Sequence, residues 1–395
     1  MEKKTLLHRV SAEDILYFSS YGLFLITSLL STSFYYRWFL GYPYTWIQAV
    51  CLALLVLREY RMGKDCQNWM GVASLTLLAI LSLQFTMGNL TRLVPMMFFY
   101  IYGARNIHFM RIARYSLWIS SIVVCLVVFS GYLGIIDNVV VAKGVRVREY
   151  LGFRYALYLP GILLNMIALW LYLRQDKVPV LGVIFWSAVN IFVYLRTDSR
   201  ISFVLAEGLL LIALLLRFAP YLKDGIHWLW GSLTASYLVC AVFSFVFTGI
   251  YDGTVPWMRR FNSMLESRLS LGKRSLEDNG FGILGRHISW LGNGLDAYGN
   301  GSSGSYTYVD CFYIKILQRY GMLFTAALLG LLTWAMVRLW KQKHHLLLLI
   351  CASVAFHCIL DDLSFALHYN TFWIAMGMAI LNPNTLKNNN DSRRE

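Results

Sequence analysis

The sequence predicts an all-α polytopic membrane protein of about twelve transmembrane helices, with one long outer loop between the ninth and tenth. Three observations predict it. Hydrophobic residues make up 58% of the 395 and charged residues 14%, with a mean hydropathy of +0.54. A soluble domain carries roughly 25% charged residues, so this chain cannot cover a water-facing surface. Apolar runs close to the ~20 residues of a membrane span recur along the chain. Trp and Tyr flank those runs, as they do at the two membrane–water interfaces.

In order, the basic stretch 1–9 precedes an apolar run with no small-residue cleavage site after it. It reads as a signal anchor retained as the first helix. The spans fall at 15–33, 44–57, 69–85, 93–102, 115–135, 155–173, 179–195, 201–218, 226–250, 309–337, 345–360 and 364–381. The fourth is short. The tenth is too long for a simple crossing, and its first turns, with Lys315, Gln318 and Arg319, read as re-entrant or interfacial. Residues 1–250 thus hold nine spans, 251–308 an extracytoplasmic Gly/Arg-rich loop, 309–382 three spans and 383–395 a polar cytoplasmic tail.

Twelve spans put both termini on one side. With that side cytoplasmic, every inner segment carries at least two basic residues, among them Arg58 and Arg61, Arg105 and Arg111, Arg174 and Lys177, and Arg338 and Lys341. The short outer loops near Arg37 and Arg92 carry about one each, as the positive-inside rule requires. The net charge of +14 follows from this bias and from attraction to anionic lipid. No basic–aromatic groove pattern is present, which excludes nucleic acid as a partner.

Three outer segments break the rule. They are 137–154 with Lys143, Arg146, Arg148 and Arg154, the turn 196–200, and the long loop with Arg259, Arg260, Arg268, Lys273, Arg274 and Arg286. Topology does not need these charges. They answer either to lipid headgroups and nearby acids or, taken as a set, to an anionic ligand. Arg is planar, permanently charged and bidentate, and so suits phosphate oxygens. Arg196 and Arg200 bracket the turn between the seventh and eighth spans, and Arg268 sits in the loop. Such arginines at one membrane depth clamp a pyrophosphate and stabilise it as a leaving group.

Candidates for acid–base work sit at the same edge. Asp310 lies where the loop re-enters the bilayer, either as a helix N-cap or as a site carboxylate. His357 and Asp361 are four apart and share a helical face, His368 and Asn370 follow, and His287 lies in the loop. A histidine beside a carboxylate serves as a general base toward a sugar hydroxyl, or each is a buried structural residue. The loop glycines give either a mobile surface loop or a wall that lets backbone approach a sugar chain. No CxxC, zinc, Asp-x-Asp, P-loop or serine-elbow motif occurs, so no metal or cofactor is expected. Intramembrane charge is sparse, with Glu207 alone in the eighth span, which disfavours a proton-coupled carrier.

Several of these segments together resemble the Wzy-type polysaccharide polymerases of capsule and exopolysaccharide clusters, within the O-antigen polymerase and ligase superfamily. They are Arg196-Thr-Asp-Ser-Arg200-Ile-Ser-Phe203, Arg268-Leu-Ser-Leu-Gly272, Ile283-Leu-Gly285 with Trp290, Tyr308-Val-Asp310-Cys-Phe-Tyr313, and Tyr320-Gly321. Asp198 departs from the pattern, where a small residue such as Gly is expected. An acid there pairs with Arg196 or Arg200. The resemblance implies a metal-independent glycosyltransferase in a bacterial, Gram-positive plasma membrane. Its donor is a growing glycan on undecaprenyl pyrophosphate, and its pathway includes a flippase and a chain-length regulator. It implies Arg200, Arg268 and, more weakly, Arg196 as a phosphate clamp, with Asp310 or the His357/Asp361 pair for orientation or base work. Arg286 and His287 are further candidates in the loop. The alternatives are a flippase of lipid-linked oligosaccharide, which would not need the long loop, and a ligase-like transferase.

Overall fold

A computed structural model describes residues 11–62, 69–83, 93–143 and 146–386. The basic N-terminal stretch, Lys64, Arg92 and residues 387–395 of the C-terminal tail lie outside the described residues, while Pro383–Leu386 form a short 3-10 turn. The described chain is mainly helical, with one hairpin and one long irregular stretch, and it is a multi-pass membrane protein. The first helices are α1 (Ala12–Ser31), α2 (Tyr42–Met62), α3 (Trp69–Leu83), α4 (Leu93–Gly103) and α5 (Phe109–Tyr132). A hairpin of β1 (Val140–Lys143) and β2 (Arg146–Glu149) follows. Then come α6 (Tyr158–Arg174), α7 (Val180–Thr197), α8 (Arg200–Phe218), α9 (Leu222–Gly225), α10 (His227–Leu233) and α11 (Ser236–Ile250). The last are α12 (Pro256–Met264), α13 (Arg268–Asn279), α14 (Phe312–Lys341), α15 (His345–Leu360) and α16 (Phe372–Leu381).

Among the described residues, five helices, α1, α5, α7, α8 and α14, are long and apolar enough to cross a membrane, and six crossings result if α10 and α11, bent by 56°, count as one. Of these, α5, α7 and α8 carry wide exposed apolar faces, as lipid contact requires, whereas α1 and α14 are half-buried. The shorter α6 and α16 are buried on nearly every side. A helix that is apolar all round belongs in the centre, and these two form the middle of the bundle.

Pairings between distant segments define the two ends of the bundle. At one end, Arg154 donates to Ser31 O and Leu295 O, Phe34 N donates to Gly152 O, and Arg37 pairs with Asp137. Arg148 donates to Asp198 O and Tyr308 to Asp362, so segments 32–41, 133–143, 146–157, 198–199, 251–311 and 361–371 meet there. At the other end Glu59 pairs with Arg58 and Arg105, Asp14 with Arg111, and Arg217 donates to Val178 O.

Three segments take shapes that the sequence reading left open. Segment 137–154 was read only as an outer segment between spans. It holds the hairpin, in which Val140-Val141-Ala142-Lys143 pairs with Arg146-Val147-Arg148-Glu149, a β-branched strand against one that alternates Val with charged residues. Segment 251–308 contains α12 and α13, and its long irregular part begins at Gly280. The long tenth run is broken at Gly321, whose φ of 88° lies in the left-handed region. The break has a physical cause. A Cβ at Gly321 would lie 2.2 Å from Gly285 N and 2.4 Å from Ile283 O, so loop backbone occupies that space. The amides freed by the break, Met322 N and Leu323 N, donate to Gly282 O and Ile283 O. Gly285 and Gly321 thus serve close packing of loop on helix.

Candidate functional site

A small, partly open cleft lies at the end of the bundle where the long loop meets α7, α8 and α15. Its basic lining is Arg148 from β2, Arg200 from α8 and Arg268 from α13. Its acidic lining is Asp198, Glu266 and Asp361, and Ser199, Ser202 and His357 complete its polar wall. Four residues expected from the sequence, Arg200, Arg268, His357 and Asp361, converge here although they are up to 161 positions apart.

The turn before α8 explains the unusual residue within it. Asp198 ends α7 in the left-handed conformation, φ 48° and ψ 42°. Glycine is the default there, and Asp is among the few side chains that tolerate it. Its carboxylate pairs with Arg200 Nε at 3.5 Å, and its carbonyl accepts from Arg148 Nη2. Ser199 gives α8 no side-chain cap, so the first amides of this 19-residue helix face the cleft without one. Uncapped amides and the positive end of the helix dipole favour an anion.

Arg268 is the most constrained of the three arginines. Its Nη1 pairs with Asp310 at 3.0 Å, and both side chains are about nine-tenths buried. Its Nε donates to Leu360 O at 2.9 Å and Nη1 to Glu266 O at 3.2 Å, while Nη2 donates no hydrogen bond among the described residues. Asp310 also accepts from Tyr306 Oη at 2.6 Å. It is not an N-cap. Cys311 holds that position, and Asp310 neutralises Arg268 instead.

The expected His357–Asp361 dyad does not form. Helix α15 ends at Leu360, and Asp361 turns away with extended dihedrals of −146° and 136°. The His357 ring bonds to Ser364 Oγ at 2.7 Å and Ser202 Oγ at 3.3 Å. Asp361 accepts from Leu363 N at 2.8 Å. Burial, reinforced by neighbouring Asp362, pushes the Asp361 carboxyl up to about 8. Asp362 itself pairs with Lys315, which also reaches Tyr308 Oη. His368 and Asn370 lie buried in the turn before α16.

The remaining candidates stand elsewhere. Arg196 pairs with Glu149 at 3.0 Å and lies across the Phe192 ring, outside the cleft. Arg286 donates to Asn279 O at the far end of α13, and His287 beside it is exposed. Neither lines the cleft, because Gly285 pins this stretch against the Gly321 break. Arg148 is a cleft residue that the sequence reading named only among the outer charges that topology does not need, and not as a site candidate. Its signal was the alternation Arg146-Val147-Arg148-Glu149, which places Arg148 on the face opposite Val147 in a strand. The chain matches no protein family, no curated protein and no solved structure.

Proposed function

We propose that this protein polymerises undecaprenyl-pyrophosphate-linked oligosaccharide repeat units into capsular or exopolysaccharide. In this reading the membrane is a bacterial, Gram-positive plasma membrane crossed about twelve times. The cleft end faces outward, and the opposite end, with Arg58, Arg105, Arg174 and Arg338, faces the cytoplasm with both termini. The observation that carries the reading is one cleft combining the uncapped N-terminus of α8, Arg148, Arg200 and Arg268 with the buried carboxyl of Asp361.

The acceptor sugar hydroxyl attacks the anomeric carbon of the donor glycan. A new glycosidic bond forms there as the bond from that carbon to the pyrophosphate oxygen breaks, and the electron pair leaves with the pyrophosphate. Ionised Asp361 takes the hydroxyl proton. A carboxyl held near 8 is a stronger base than an ordinary one and works near neutral pH. Arg148, Arg200 and the α8 amides hold the departing charge. Arg268, already paired with Asp310, lines the cleft and fixes the loop.

Wild-type and Arg200→Ala proteins are compared in cells for membrane level and polymer length. Equal membrane level with polymer reduced to single repeats supports the assignment. Full-length polymer from Arg200→Ala refutes it.

A further inference from the structure

Helix α12 has no part in the cleft. Its residues Trp257, Phe261 and Met264 fall at i, i+4 and i+7 and so share one face. Phe261 packs on Phe247 at 5.5 Å and Phe243 at 6.1 Å between ring centroids. These partners stand three and seven residues before the end of α11 at Ile250. At the helical rise, the Phe261 ring therefore sits roughly 5–10 Å down the side of α11. Helix α12 lies alongside the last two turns of a helix that belongs to a membrane-length pair. Trp257 and Met264, on the same face, are 54% and 77% exposed.

The rest of the helix carries Arg259 and Arg260, both exposed. Arg259 donates to Gly253 O at 3.2 Å, and Arg260 has no hydrogen bond or ion pair among the described residues. An amphipathic helix with aromatic and Met residues on one face and arginines beside it lies in the membrane interface. Its charge is complementary to anionic headgroups.

Asn262, 7% exposed, links this helix to the next. Its Oδ1 accepts from Leu269 N and Ser270 N, both at 3.1 Å, and its Nδ2 donates to Ser270 Oγ and Tyr251 Oη. It thereby caps the start of α13 from outside. Glu266 and Ser267, between the helices, hold positive φ of 50° and 67°, which makes the link tight.

We infer that α12 is an interfacial anchor that binds anionic phospholipid headgroups through Arg259 and Arg260, and that Asn262 passes its position to the α13 end bearing Arg268. The full-length protein is placed in nanodiscs of phosphatidylglycerol or phosphatidylcholine. A nitroxide is attached at Met264→Cys in a Cys66→Ser/Cys125→Ser background. The inference expects it to be relaxed more by oxygen than by a water-soluble nickel chelate. It also expects the amides of 269–275 to exchange about fivefold more slowly, or slower still, in phosphatidylglycerol, the size of one arginine's attraction to an anionic surface. Arg259→Gln/Arg260→Gln should remove that lipid dependence. A nitroxide reached mainly by nickel overturns the anchor. Equal exchange in the two lipids, or the same slowing by free inorganic phosphate in phosphatidylcholine, overturns the headgroup site. The wild-type comparison carries the test even where the double variant fails to fold.

Discussion

Replacing Arg268 with alanine leaves Asp310 buried without its counter-charge. The two groups are 3.0 Å apart with side chains 10% and 9% exposed. Breaking a buried pair by removing one partner costs about 3–5 kcal/mol. The cost falls on the first half of α13, because Arg268 also ties that end to Leu360 O. The second half keeps its own anchors, Gln318 Nε2 donating to Ser275 O at 2.9 Å and Gly280 O at 3.0 Å. At 1.4 kcal/mol per tenfold, amide exchange over residues 271–275 should quicken by about a hundredfold to a few thousandfold. Exchange near Asn279 should change far less. Asp310→Asn should act in the same place. Arg268→Met/Asp310→Leu should be less disturbed than the two single effects combined, since no lone charge remains buried. Hydrogen–deuterium exchange by mass spectrometry on purified protein reads all four. Exchange at 271–275 within threefold of wild type in Arg268→Ala, or full additivity in the double variant, refutes the pair as the fastening of α13.

Three further outcomes are expected. Asp361 acts as base only when ionised, so with its carboxyl near 8 the rate of chain growth should be about 1% of its plateau at pH 6 and about 10% at pH 7. A rate independent of pH from 6 to 9 contradicts that role. The same raised carboxyl makes the native state hold a proton that the unfolded chain has lost. Stability should therefore fall as pH rises from about 4 to about 8, and Asp361→Asn should flatten that slope in thermal melts. Gly321→Ala drives a Cβ into loop backbone at a positive φ of 88°, which should cost about 3 kcal/mol or more in midpoint shifts and expose 280–285 to protease. Asp198→Gly relieves a left-handed non-glycine residue and unpairs Arg200, so the melt should hold or rise by up to about 1 kcal/mol while lipid-linked donor binds more tightly in a titration.

Membrane character was legible because it depends on sums over many residues. Individual apolar runs located most helices. Hydropathy does not distinguish a lipid-facing span from a central helix such as α16, which the bundle shortens to Phe372–Leu381 because 366–371 form a turn. The arginines at the cleft were legible as charges that topology does not need. Their partners were not. Whether Asp310 caps a helix or neutralises Arg268 depends on where α13 docks, and Arg268 and Asp310 are 42 positions apart. The His357–Asp361 spacing suggested a dyad, but spacing works only while the helix continues, and α15 ends between them. Gly285 read as part of a mobile loop or a glycan-facing wall, and Gly321 only as part of the resemblance. Only the packing shows them as a backbone-to-backbone contact.

Purified protein in detergent, where no compartments exist, can be given undecaprenyl-pyrophosphate-linked repeat units and its products resolved by length. The account predicts a ladder of polymers with release of undecaprenyl pyrophosphate, abolished by Asp361→Asn. No product in detergent, with movement of the same lipid across vesicle membranes containing the protein, would contradict it.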